Sequence, residues 1–125
     1  MRHHRHTNSL NSRATGTVID WKVGMSAAEQ SISVKANQPF TFKWTGSHNV
    51  YKFPDEAAYK SCDFSGATFV SDEALSSRTG KPFTMKLGGP GTYYFGCKVA
   101  SHCKGGQKVA VTIAGTLIGL HMIFG

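Results

Sequence analysis

Residues 92–113 read TYYFGCKVASHCKGGQKVAVTI, two alternating stretches joined by a loop that carries two cysteines, a histidine and a glutamine. Beyond the loop, Val109, Val111 and Ile113 alternate with Lys108, Ala110 and Thr112. That period of two is what a strand with one buried face requires. Before the loop, TYYF at 92–95 reads as the preceding strand. Between the two, Cys97, His102 and Gln107 stand five residues apart on a glycine-containing loop.

The same alternation recurs outward along the chain. Ile32 and Val34 alternate with Ser31, Ser33 and Lys35; Phe40, Phe42 and Trp44 with Thr41 and Lys43; Phe83, Met85 and Leu87 with Thr84 and Lys86. TVIDW at 17–21, NVYKF at 49–53 and ATFV at 67–70 complete a set of about eight strands. Turn chemistry separates them at Asn37-Gln38-Pro39, Thr45-Gly46-Ser47, Thr79-Gly80 and Gly88-Gly89-Pro90-Gly91. One short helix is predicted at PDEAAYKS, 54–61, with Pro54 in its first turn and Asp55 and Glu56 near its positive end. Many short strands at this spacing predict an all-β fold, a Greek-key β-sandwich or barrel with one short helix.

Composition is consistent with one such domain. The chain has 125 residues, 40% of them hydrophobic and 17% charged, with 14 glycines and 14 aromatics. This describes a globular domain rather than a disordered chain, and no apolar run reaches the length of a membrane span. The formal charge is +7, but Arg2, Arg5 and Arg13 lie in the first fifteen residues, which leaves +4 dispersed over the rest. With no basic block, nucleic acid is not expected as a partner; an acidic partner is compatible with the charge. Residues 1–15, MRHHRHTNSLNSRAT, are polar and without periodicity and read as an added leader or flexible arm. The apolar end AGTLIGLHMIFG reads as an added strand, a truncated tail or vector-derived sequence, three readings the sequence leaves open.

The chemistry concentrates around the quoted loop. Three cysteines, Cys62, Cys97 and Cys103, are an odd number, so at least one stays outside any intramolecular disulfide. A second histidine, His48, stands in WTGSHNVYKF at the start of an earlier strand. Two imidazoles and a thiolate form a trigonal set, and a weak axial fourth ligand completes a mononuclear copper electron-transfer site; glutamine can replace methionine on that axis. Met85 and Met122 compete with Gln107 for the axial place, but Met85 shares the Phe83/Leu87 face and reads as core.

The pattern SHNV, then Cys62, then C-x4-H-C-x3-Q resembles the phytocyanins, the plant-type cupredoxins, over about residues 16–114. The glutamine in the last place resembles the stellacyanin subclass. The resemblance implies a cupredoxin-like fold and one copper ion cycling between Cu(I) and Cu(II). His48, Cys97 and His102 would be its strong ligands, with Gln107 on the axis. It further implies a disulfide between Cys62 and Cys103, and an Asn49 that braces the cysteine loop by hydrogen bonding. Such a bridge would close a loop of about forty residues, which chain-entropy reasoning values at roughly 4 kcal/mol. It also needs an oxidising compartment, so a secreted or extracellular protein is expected. Unlike land-plant members, VGMSAAEQ lacks the aromatic usual after the first strand, and the chain carries no N-x-S/T sequon.

The organisation expected is an arm at 1–15, a cupredoxin domain at 16–114 and a tail at 115–125. The function expected is a type 1 (blue) copper protein, not an enzyme. It would carry single electrons as a monomer between redox proteins or small-molecule donors and acceptors, including anionic ones. The alternative is a non-redox protein that binds or buffers copper or zinc, although C-x4-H-C is not a zinc-finger spacing. A thiol enzyme with Cys97 as nucleophile and His48 as base fits poorly, because no oxyanion motif accompanies the pair.

Overall fold

Eight of the alternating stretches form strands in the computed structural model, which describes residues 17–71 and 82–115. The arm at 1–15, the Thr79-Gly80 turn, Met122 and the tail beyond Gly115 lie outside the described residues. The strands are β1 (Thr17–Asp20), β2 (Ser31–Val34), β3 (Phe40–Lys43), β4 (Val50–Phe53), β5 (Thr68–Ser71), β6 (Phe83–Met85), β7 (Gly91–Gly96) and β8 (Lys108–Ile113). They form two mixed sheets, ordered β1-β3-β6 and β2-β8-β7-β4-β5, with parallel pairing only in β1/β3 and β2/β8. The chain passes from one sheet to the other after β1, β2, β3, β5 and β6. Of sandwich and barrel, the sandwich is found, since no closed barrel forms among the described residues.

The inward phase of each strand matches its apolar positions. Phe40 and Phe42 on β3 and Val109 and Val111 on β8 are fully buried, and Lys43 and Thr112 between or beside them face water. Trp21 and Trp44 fall one residue past β1 and β3 yet keep the inward phase, at 1% and 5% exposure. Phe42 joins the two layers. Its ring meets Trp21 edge-on at 4.9 Å on its own sheet and Phe95 of β7 edge-on at 5.6 Å across the interior. Each such ring contributes about 1.5–3 kcal/mol by burial, and edge-to-face contact adds to that.

The helix starts later than the sequence suggests. It is α1, Glu56–Ser61, and Asp55 is its N-cap rather than a first-turn residue. Asp55 has an extended backbone and its carboxylate accepts the Ala58 N–H at 2.9 Å, which satisfies an otherwise orphaned donor; Pro54 precedes the cap. At the other end Cys62 adopts the left-handed conformation, with φ 55°, and its N–H closes the last turn.

Cys62 is bonded to Cys103, with 6.0 Å between their Cα atoms and a sequence separation of 41. The bridge ties the end of α1 to the loop between β7 and β8. Replacing both cysteines by alanine should lower unfolding free energy by about 4 kcal/mol in urea titration, as expected for a closed loop of that length.

Candidate metal centre

Topology gathers the loops at one end of the sandwich. Parallel β1 and β3 both finish there, so Trp21 and the Trp44–His48 segment arrive together. Antiparallel β7 and β8 meet there as well, with Gly96 opposite Lys108, and β4 begins beside the end of β7 with Tyr51 opposite Gly96. His48 enters from the β3–β4 connection, and Cys97 and His102 from the β7–β8 loop.

The alternation of β7 carries Cys97 to the interior, two residues beyond the buried Phe95. A Cβ at Gly96 would lie 2.6 Å from Phe53 Cε2, so only glycine leaves room for the Phe53 ring against β7 at this point. Cys97 follows at 0% exposure and takes no part in the disulfide. Its Sγ lies 3.5 Å from His102 Nδ1 and 3.9 Å from His48 Nδ1. The three donor atoms all fall within 4.8 Å of one another, and the two imidazole centroids are 5.0 Å apart. The sulfur is buried, whereas both imidazoles are partly exposed. The cluster therefore has a dry floor and a rim that reaches water.

The loop that spaces these residues is closed by its own backbone. His102 N–H donates to Val99 O at 3.0 Å, Gln107 N–H to His102 O at 3.0 Å, and Cys97 N–H to Gln107 O at 3.1 Å. Ala100 (φ 44°) and Gly106 (φ 102°) take the left-handed turns this path needs. Asn49 ties the loop to the neighbouring strand: its Oδ1 accepts the Lys98 N–H at 2.7 Å.

Gln107 is the residue most out of keeping with its surroundings. It is fully buried, and neither Oε1 nor Nε2 has a hydrogen-bond partner among the described residues. Directly opposed residues of an antiparallel pair point to the same face. Continuing the register past Gly96 and Lys108 sets Gln107 opposite Cys97, on the inner side with Phe95 and Val109. An unpaired amide in such a place costs on the order of 1–3 kcal/mol. The donor set fits a soft, thiolate-accepting metal: one thiol sulfur, two imidazole nitrogens and an orphaned amide oxygen on the same face. Met85, by contrast, pairs with Phe40 and packs on the core.

The sequence reading missed the part played by Trp21, treated there only as the end of a strand. Its indole N–H donates to Asn49 O at 2.9 Å, beside His48. The composition around it gives no sign of this long-range bond, which joins residues 28 apart.

Residues 21–107 match the family described as Plastocyanin-like domain. Chemocyanin of Lilium longiflorum is 34% identical over 99 residues, spanning 75% of this chain and 68% of that protein. Cucumber peeling cupredoxin of Cucumis sativus is 29% identical over 87 residues, 70% of this chain and 58% of that protein. Among solved structures, spinach plantacyanin is similar at 29% identity with a TM-score of 0.55, covering 77% of this chain and 96% of that one. The chain belongs to the plastocyanin-like cupredoxins, among the phytocyanins.

Replacing Gln107 by leucine removes the orphaned amide at similar volume. The metal-free protein should gain about 1–3 kcal/mol in denaturant unfolding, a sign opposite to that of most core substitutions.

Proposed function

We propose that the chain is a type 1 copper protein that carries one electron at a time. The observation that carries this reading is the convergence of Cys97 Sγ with Nδ1 of both His48 and His102 on a buried floor. Bound copper supplies a Cu(II)/Cu(I) couple. Cys97 would give the thiolate, His48 and His102 the two imidazoles, and Gln107 Oε1 a weaker fourth contact, the glutamine in that place supporting a stellacyanin-like site. One ion per chain matches the one such cluster among the described residues.

The residues suit electron exchange. A cluster gathered by strand register and a closed loop changes little in shape when one electron arrives, and the partly exposed imidazoles offer a short path to a docked partner. The thiol is fully buried, where a nucleophile could not meet a substrate, and this favours a carrier over a thiol enzyme. The disulfide favours an oxidising compartment, in keeping with a secreted protein. We take residues 16–114 as the working domain and a monomer as its form. Its partners would be redox proteins or small-molecule donors and acceptors, with the dispersed positive charge favouring anionic ones.

Adding Cu(II) should give an intense visible thiolate-to-copper band at one equivalent, and Cys97→Ser should abolish it while far-ultraviolet circular dichroism stays unchanged. Colour surviving that change would remove Cys97 from the ligand set, and copper uptake without reversible one-electron cycling would favour a buffering role.

Gln107→Met should raise the reduction potential in cyclic voltammetry, because a thioether favours Cu(I) where an amide oxygen favours Cu(II). For one electron each 59 mV or so is a tenfold change in equilibrium constant. An unchanged potential would take Gln107 off the copper axis.

A further inference from the structure

The segment 21–30 contributes none of the four proposed ligands, yet it is hydrogen-bonded to both loops that carry them. Trp21 Nε1–H donates to Asn49 O at 2.9 Å, holding the residue next to His48. Gly24 N–H donates to Gly105 O at 2.8 Å, and Gln30 Nε2–H donates to Gly106 O at 2.9 Å. Both of those carbonyls lie between His102 and Gln107. A Cβ at Gly105 would stand 2.9 Å from Val23 Cγ1, so the segment also packs closely against that loop.

The segment has its own means of staying in shape. Ser26 and Glu29 form a reciprocal pair, in which Ser26 N–H donates to Glu29 Oε1 at 2.8 Å and Glu29 N–H donates to Ser26 Oγ at 3.2 Å. This is the S-x-x-E capping arrangement at the start of a turn, and Lys22 pairs with Glu29 at 3.3 Å across it. Each end is fixed to a sheet: Trp21 packs on Phe42, and Gln30 O accepts the Ala110 N–H of β8 at 2.8 Å.

We propose that residues 21–30 act as a clamp that sets the distance between the His48 loop and the His102–Gln107 loop, with Trp21 and Gln30 as its positioning residues. The loops also meet through the Asn49 Oδ1 bond to Lys98 N–H and through His48, whose Nδ1 lies 3.9 Å from Cys97 Sγ and whose ring faces His102. Asn49 stands at the junction: its carbonyl is held by Trp21, while its side chain holds the residue after Cys97. Losing the indole N–H frees the Asn49 backbone and, through it, both His48 and the Lys98 amide. A single buried hydrogen bond suffices for an effect of about three- to tenfold in an equilibrium between held and released loop. As a statement about copper geometry the inference rests on the proposed function; as a statement about the loops it does not.

The test separates the two. Trp21→benzothienylalanine keeps the shape of the side chain and removes only the N–H; Gln30→Leu removes the second side-chain tie. In the copper-free proteins, amide exchange at Lys98 should quicken about three- to tenfold in the first variant, relative to the β8 amide of Val111. In the copper-loaded proteins, both variants should shift the visible band and the EPR hyperfine splitting and release copper to a chelator about three- to tenfold faster. Phe40→Leu is the control, since Phe40 is fully buried against Phe42 and Phe95 but touches neither clamp bond. It should lower stability and leave the spectra and the relative Lys98 exchange unchanged. Unaltered spectra, copper release and Lys98 exchange in the Trp21 variant would overturn the clamp, as would equal changes in the control. If the unaltered protein takes up no copper, the copper reading fails, and the exchange measurement alone decides the clamp.

Discussion

The pairing of β7 with β8 is the constraint on which the metal centre depends. Its register runs from Gly91 opposite Ile113 to Gly96 opposite Lys108, and the next step brings Cys97 and Gln107 face to face on the inner side. A slip of β8 by one residue against β7 would carry Gln107 away from Cys97 into water and expose Val109 and Val111. Burial of those valines and Phe95 therefore fixes the sulfur in place with the same free energy that holds the sheet together. The ligand loop can be short and well ordered because its two ends are already anchored.

The centre also opposes the fold locally. A buried side-chain amide with no partner among the described residues and a thiol beneath two imidazoles are poor choices for stability alone. The surrounding structure supports them with aromatic contacts between the layers, with the Cys62–Cys103 bridge next to His102, and with Asn49 on the Lys98 amide. This division of labour would suit the proposed electron carrier, because donors held by strand register and a closed loop would need little rearrangement on a change of charge.

Parallel pairing of β1 with β3 has a consequence of the same kind. Because both strands end on the side of the loops, Trp21 and His48 become neighbours although 27 residues of chain separate them. An antiparallel pairing would send Trp21 to the opposite end of the sandwich and leave Asn49 O without its indole donor. The clamp at 21–30 thus follows from sheet topology as much as from the residues that compose it.

The strands were legible in the sequence because each buries one face against a single interior, and that requirement writes a period of two into the residues themselves. Cys97, His102 and Gln107 were legible because a short loop keeps interacting groups close along the chain. His48 was legible only as the second imidazole a trigonal set needs, and the pairing of Cys62 with Cys103 only through likeness to a family, since no local pattern links residues 49 or 41 positions apart. The helix start was misplaced by two residues because Asp55 and Glu56 are both good first-turn residues, and only the extended backbone at Asp55 makes it the cap. Sheet order, parallel pairing and the Trp21–Asn49 bond were decided by tertiary structure alone. They arise from how whole faces pack, and a side chain carries no mark of which distant carbonyl it will meet until those faces have closed.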